Sequence, residues 1–171
     1  MKNLLTSLLC LAAFTAWGQT DILDARTNYS VGQTVTVTGI VTSDGNLGIV
    51  RYLQDETAGI ALYPGGQWMQ NDWPDPQPGD ELTMTGALSE YNGLLEVGPD
   101  GITDVTVLST GNELPAFQTI TPNEMNESME GELAYIPDVV FTNGGTMITG
   151  NSTFSFTAAV EDGIIYVRND N

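Results

Sequence analysis

The stretch of residues 35–63, VTVTGIVTSDGNLGIVRYLQDETAGIALY, restricts the fold of this chain more than any other part. Val35, Val37 and Val41 alternate with threonines, which is the period-two pattern of a strand with one apolar and one polar face. Glycine, asparagine and aspartate occupy the two turns that follow, and β-branched and aromatic residues fill the segments between them. Three consecutive strands are therefore predicted, over residues 35–42, 48–54 and 60–63.

A long interruption follows the third strand. Residues 64–80 contain four prolines and three glycines, which exclude a continuous helix or a central strand. Alternation then resumes, and the pair Asn92-Gly93 predicts a tight hairpin. The further strand segments cover residues 81–88, 94–97 and 103–108. About five strands with the longest insertion after the third predict an all-β, OB-like Greek-key barrel, with the proline-rich loop in place of the usual helix.

The beginning of this pattern recurs near residue 120. Residues 20–27 carry a helix start with Asp21 as N-cap, and Thr121-Pro122-Asn123-Glu124 is a stronger helix start of the same kind. Strand-like segments over residues 133–142, 154–159 and 162–167 then parallel the first three strands in order and spacing. We predict a barrel over residues 19–110, a linker over 111–120 and a partial second OB-like repeat over 121–171. Truncation of a longer protein would explain the incomplete copy, and capping of the first barrel by the last strands is the alternative.

Residues 1–18 have the features of a signal peptide. Lys2 precedes the apolar residues 4–14, and Ala16 and Gly18 are small residues placed for cleavage before Gln19. The protein is therefore predicted to be secreted or to lie at the cell surface, with no membrane span. After cleavage no cysteine remains, so the core, or bound metal ions, must provide the stability that disulfides give many exported proteins.

The charge of the chain is strongly negative. The formal net charge is −18 at pH 7, with 4 lysines and arginines against 22 aspartates and glutamates. Such a surface repels phosphate groups and disfavours nucleic acid as a partner, without excluding it. Two interpretations remain: solubility outside the cell, or binding of divalent cations by clustered carboxylates.

Most catalytic chemistry is missing from the residue inventory. The chain has no histidine, which removes Ser-His-Asp and Cys-His catalysis and histidine-ligated zinc. Carboxylate-pair catalysis remains on inventory alone, with Asp55/Glu56 and Asp80/Glu81 as the candidate pairs. Both pairs stand at strand edges, where turn formation explains them equally well. We predict that the chain is not an enzyme.

Aromatic residues are the best candidates for ligand binding. In OB barrels, strands two and three and the neighbouring loops form the ligand face, where rings stack on aromatic side chains. The candidates are Tyr52, Tyr63, Trp68, Trp73 and Tyr91, with Arg51 as the nearby cation. The alternative is that the tyrosines pack in the barrel and the tryptophans close its open end. A glycan or a protein partner suits the negative charge better than nucleic acid.

Three carboxylates in the proline-rich loop are candidates for a metal site. Asp72, Asp75 and Asp80 lie in one loop whose prolines restrict its backbone, and carboxylate oxygens are the ligands that calcium prefers. The spacing matches no EF-hand. The alternative is that these residues form the turns of the loop.

Four segments resemble a known group of proteins. YLQDETAGIALY, VTVTGIVTS, GDELTMTGAL and YNGLLEV are similar to OB-like domains of exported Bacteroidota proteins, including a tandem family of unknown function. Related domains stand beside secreted nuclease-type domains. The resemblance covers residues 21–108 and, partially, 121–167. It implies a non-catalytic binding or spacer module of a larger extracellular or cell-surface protein. The alternative is an oligonucleotide-binding accessory domain of an extracellular nuclease.

Overall fold

A computed structural model describes residues 18–142, 152–157 and 162–167 of the chain. The predicted signal peptide lies outside these residues apart from Gly18. The first elements are α1 (Ile22–Asn28), β1 (Thr34–Val41), β2 (Arg51–Gln54), β3 (Gly59–Leu62), β4 (Glu81–Tyr91), β5 (Leu94–Val97) and β6 (Asp104–Ser109). They are followed by β7 (Gln118–Thr119), β8 (Ala134–Tyr135), β9 (Val140–Phe141), β10 (Ser152–Thr157) and β11 (Asp162–Val167).

Five strands close into a barrel, which confirms the predicted OB-like fold. Their order is β1-β2-β3-β5-β4, and β4 pairs back with β1. The pairings are antiparallel except that of β3 with β5, which is parallel. The sixth strand, β6, is paired along the first half of β4 rather than inserted in the barrel wall.

Alternation along β1 and β4 positions the core. Val35, Val37 and Val41 point inward together with Leu82 and Met84, and all five side chains are buried. On the outer face of the same two strands, threonine hydroxyls pair across the seam at 2.8 and 2.6 Å. The two faces of this seam therefore have the separate chemistry that the period-two pattern predicts.

The first helix begins as predicted, but another element caps it. The side chain of Asp21 makes no capping hydrogen bond. The backbone N–H of Ile22 instead donates to Asp55 Oδ2 at 2.8 Å, and that of Leu23 donates to Thr57 Oγ1 at 3.1 Å. The turn between β2 and β3 thus supplies the cap, a long-range contact that local sequence patterns cannot predict.

Turns account for the other local differences. Asn92 and Gly93 have φ values of 53° and 92°, so the predicted two-residue hairpin is confirmed. A 3₁₀ turn over Gly45–Leu47 delays β2, which begins at Arg51 rather than at residue 48. The predicted helix start at Thr121 has its capping box, but two separate 3₁₀ turns follow instead of an α-helix, over Pro122–Glu124 and Glu127–Met129.

The predicted proline-rich loop is confirmed as the connection between β3 and β4. Its only regular element is a 3₁₀ turn over Gln70–Asp72. A regular helix is therefore absent from this fully described loop, as its prolines require.

The segment after the barrel packs in two small sheets. β7 pairs with β8 in parallel, so the end of the predicted linker is part of a sheet. β9, β10 and β11 form an antiparallel sheet in chain order, as β1, β2 and β3 do. This shared order agrees with an internal repeat, which stays a prediction. No helix in the described part of the chain is long and apolar enough to cross a bilayer.

Candidate ligand-binding surfaces

The six residues predicted to bind a ligand do not share one surface. Tyr52 and Tyr63 are half-buried at β2 and just after β3, and Trp73 is half-buried in the proline-rich loop. Tyr91 is 68% exposed at the β4–β5 hairpin. Arg51 and Trp68 lie close together, with the guanidinium carbon 5.8 Å from the ring centroid. Both are 3% exposed, so neither offers its surface to a ligand in this conformation.

Arg51 joins two loops at one end of the barrel. Its Nε donates to the carbonyl of Pro76 at 3.1 Å, and its Nη1 donates to that of Gly48 at 2.7 Å. Its Nη2 donates to the carboxylate of Asp75 at 2.7 Å. The guanidinium is therefore surrounded by acceptors of its own chain, an arrangement that suits its fixed fork of donors.

Trp68 closes the barrel at the same end. Its indole N–H donates to the carbonyl of Ile49 at 2.5 Å, and its ring belongs to the hydrophobic core. Trp73 packs against that core from outside. A large aromatic side chain with its one polar atom satisfied is a stable filling for an open barrel end. A ligand could stack on Trp68 only after displacing it.

The three carboxylates predicted to bind calcium have different surroundings. Asp75 pairs with Arg51, and Asp80 accepts the backbone N–H of Gln77 at 2.9 Å. Asp72 is exposed with φ 63°, at the end of the 3₁₀ turn. In the described ranges, no three side chains of metal-binding type are grouped to hold an ion. The structure therefore does not bring the three candidates together, and the turn-forming interpretation describes them better.

The predicted ligand face of the barrel is covered in part. Among the outward residues of β2, β3 and β5, Gln54, Gly59, Ala61 and Glu96 are buried, whereas Tyr52 is half-buried. Residues 127–133, which we call the strap, contact this face at Gln54 and Gly59. A Cβ atom at Gly131 would lie 2.7 Å from the nitrogen of Ile60, and one at Gly59 would collide with the backbone of Gly131. The strap and β3 thus touch backbone to backbone at a pair of glycines.

Arg26 of α1 holds the strap. Its side chain is 8% exposed, and its Nη1 lies 3.4 Å from Glu130 Oε2. It donates to the carbonyls of Gly59 at 3.0 Å and Glu127 at 2.7 Å. Glu130 Oε2 also accepts the backbone N–H of Leu95 at 3.2 Å. Arg26 therefore links α1, β3 and the strap.

A side chain of β2 completes this attachment. Gln54 Oε1 accepts the backbone N–H of Leu133 at 2.9 Å. Sequence reasoning missed the whole arrangement, since nothing in the pattern near residue 130 shows that it returns to β3. The pair of glycines and the isolated Arg26 were the available signals.

Glu96 makes the covered face unfavourable for an anion. It stands opposite Ala61 in the parallel β3–β5 pair and is 5% exposed. Burial raises its pKa, and a hydrogen bond from the hydroxyl of Ser89 to Oε1, at 3.0 Å, partly offsets that effect. A phosphate group placed here would meet a carboxylate rather than a cation.

A polar groove of about 830 Å³ lies beside β1 and the β2–β3 turn. Residues of the predicted linker form its opposite wall, which is why sequence reasoning missed it. Six carboxylates and no lysine or arginine line it. The acidic residues are Asp21, Asp55, Glu56, Glu81, Glu113 and Glu132. This groove also repels phosphate.

Two aromatic side chains lie side by side on the exposed surface after the barrel. Phe117 and Tyr135 are 59% and 49% exposed, and their ring centroids lie 5.3 Å apart. Leu114 nearby in the chain is 48% exposed. Such a cluster is typical of surfaces that contact other proteins.

No protein-family model matches the chain. Over 106 residues, 60% of its length, the chain is 31% identical to the endonuclease YhcR of Bacillus subtilis (strain 168). The match spans 8% of the length of that protein, so the similarity is to one part of a much larger chain.

Proposed function

We propose that this chain is a non-catalytic, exported OB-fold module of a nuclease-type protein, in which it spaces or docks other parts of the protein. The similarity to part of an endonuclease supports the nuclease context. The acidic surface and the covered ligand face support a spacing or docking role over a grip on nucleic acid. The exposed pair Phe117 and Tyr135 is a surface that a protein partner would contact.

The proposal depends mainly on the contacts that the two described arginines make. Single-stranded nucleic acid is held by stacking together with cations that follow its phosphates. Arg26 and Arg51 are the only lysine or arginine residues in the described ranges, and both are buried in contacts with their own chain. The barrel therefore has no cation left for a phosphate.

The carboxylate contacts support a non-catalytic role. Asp55 Oδ1 accepts the backbone N–H groups of Thr57 and Ala58 at 2.7 and 2.9 Å, while Oδ2 caps α1. Glu81 accepts the hydroxyl of Ser109 at 2.9 Å. Each candidate pair thus has a member whose carboxylate oxygens stabilise a turn or a strand edge. Fewer lone pairs of these oxygens are left to act on a substrate.

The test is a titration of fluorescent oligodeoxythymidine at low salt, with and without calcium. We expect no binding at protein concentrations up to roughly the non-specific range of ordinary DNA-binding proteins, about 10⁻⁴ M. Salt-dependent binding in the micromolar range would contradict the spacing role. A parallel assay for cleavage of the same probe tests the non-catalytic part of the proposal.

The match to an endonuclease favours a second candidate, an oligonucleotide-binding accessory domain. Tyr91, exposed at the β4–β5 hairpin, is the described aromatic candidate best placed to stack a base. If oligonucleotide binds, Tyr91→Ala should weaken binding by about 1–3 kcal/mol. Leu47→Ala, at another exposed apolar residue in a loop, is the matched control.

A further inference from the structure

The strap over residues 127–133 is attached to the barrel in an unusual way. None of its seven residues is buried, and Met129 and Leu133 are its only large apolar side chains, both half-buried. The contacts that hold it are hydrogen bonds and one ion-paired arginine. Segments with few buried apolar contacts open at a lower free energy than the core around them.

The barrel beneath the strap does not depend on it. The core residues come from α1 and β1 to β6, together with Ala58 and Trp68 from the connecting loops, and the strap contributes none of them. The strap contacts the barrel through Arg26, Gln54 and the backbone of β3 and β5. Loss of the strap would therefore leave the five-stranded ladder and its core in place.

We propose that the strap opens as a unit and uncovers the outer face of β2 and β3 while the barrel stays folded. Arg26 is the anchor, since it binds two carbonyls and one carboxylate of the strap as well as Gly59 of the barrel. The inference goes beyond the proposed function, because it gives the module a face that is either closed or available.

Hydrogen–deuterium exchange on the full chain tests this inference. The backbone amides of Leu133 and Leu95 report the opening of the strap. That of Leu133 donates from the strap to Gln54 of the barrel, and that of Leu95 donates from the barrel to Glu130 of the strap. The amide of Met84, within β4, reports the barrel. In the wild-type protein, Leu133 and Leu95 should exchange at least about tenfold faster than Met84.

Two glycine variants provide a matched comparison. Gly131 and Gly111 both have a positive φ, of 82° and 73°, so alanine is strained at either position. A Cβ atom at Gly131 meets Gly59 and Ile60, whereas one at Gly111 meets nothing within 4 Å. Gly131→Ala should accelerate exchange at Leu133 and Leu95 about tenfold, and both amides should stay faster than Met84. Gly111→Ala carries only the backbone strain, so it should accelerate these two amides less.

Arg26→Met should accelerate exchange at Leu133 and Leu95 as Gly131→Ala does, because it removes the anchor and keeps an aliphatic stem. The inference is overturned if Leu133 and Leu95 exchange as slowly as Met84 in the wild-type protein. It is also overturned if neither Gly131→Ala nor Arg26→Met accelerates exchange at Leu133 and Leu95 more than Gly111→Ala does. The wild-type comparison decides the matter even if a variant does not fold.

Discussion

Two buried arginines secure two irregular segments, and the segments differ in what lies beneath them. Arg51 fastens the proline-rich loop, where Trp68 and Pro76 are also buried. Arg26 fastens the strap, where no residue is buried. The hydrogen bonding is similar, but fully buried apolar side chains are present in the proline-rich loop only. Polar contacts therefore fix the position of both segments, whereas apolar burial makes the loop costly to displace.

The sharpest test of this difference is Trp68→Ala. Removing the side chain that closes the barrel deletes core contacts and leaves a cavity, so unfolding free energy should fall by about 3–5 kcal/mol. Urea denaturation followed by circular dichroism measures it. Met69→Ala, at the neighbouring residue that is 78% exposed, is the control and should change stability by less than about 0.5 kcal/mol. A small effect at Trp68 would show that the loop is no more firmly packed than the strap.

Arg51→Met should be the next most damaging change. It leaves three carbonyls and the carboxylate of Asp75 without their donor, at a cost of about 3 kcal/mol in unfolding free energy. Asp75→Asn removes the opposite charge, but Asp75 is 44% exposed, so its loss should be below about 1 kcal/mol. Equal losses in the two variants would mean that the ion pair, rather than the carbonyl contacts, holds the loop.

Arg26→Met should cost less, about 1–2 kcal/mol, because the strap can leave and let water solvate the groups that Arg26 paired. The same denaturation experiment measures it beside Arg51→Met. A loss as large as that of Arg51→Met would remove the distinction between the proline-rich loop and the strap.

The smallest expected effect is at Glu96 of β5. Because burial raises its pKa in the folded state, folding is less favourable above that pKa than near pH 4.5, where the carboxyl is partly protonated. Glu96→Gln should therefore stabilise the protein at pH 7, and the advantage should shrink as the pH falls through the raised pKa. Glu90→Gln, at an exposed position of β4, is the control. Stabilisation that does not vary with pH would point to general charge relief instead.

The sequence predicts the barrel well because its signals are local. The alternation of Val35 and Val37 and the turn at Asn92-Gly93 each depend on neighbouring residues only. The absence of a helix in the proline-rich loop follows from residue type alone. The resemblance to exported Bacteroidota domains stays a prediction.

The placement of the candidate site residues could not be predicted from the sequence, because their burial depends on distant contacts. Arg51 and Trp68 read as ligand-binding residues, but their partners are Pro76, Gly48 and Ile49. The strap returns to β3 from far along the chain, and no periodic pattern marks that return. Trp68 had two interpretations in the sequence, ligand binding and closure of the barrel end, whereas Arg51 had only the first; the structure buries both side chains.

The contact between Gly59 and Gly131 has a thermodynamic consequence for any molecule that uses the face of β2 and β3. With backbone against backbone there is no clearance for an aromatic or sugar ring, so occupancy of the face and seating of the strap exclude each other. The measured affinity of such a molecule would equal its intrinsic affinity multiplied by the fraction of protein with the strap open. Weak binding to the wild-type chain and stronger binding to Gly131→Ala would then describe one equilibrium.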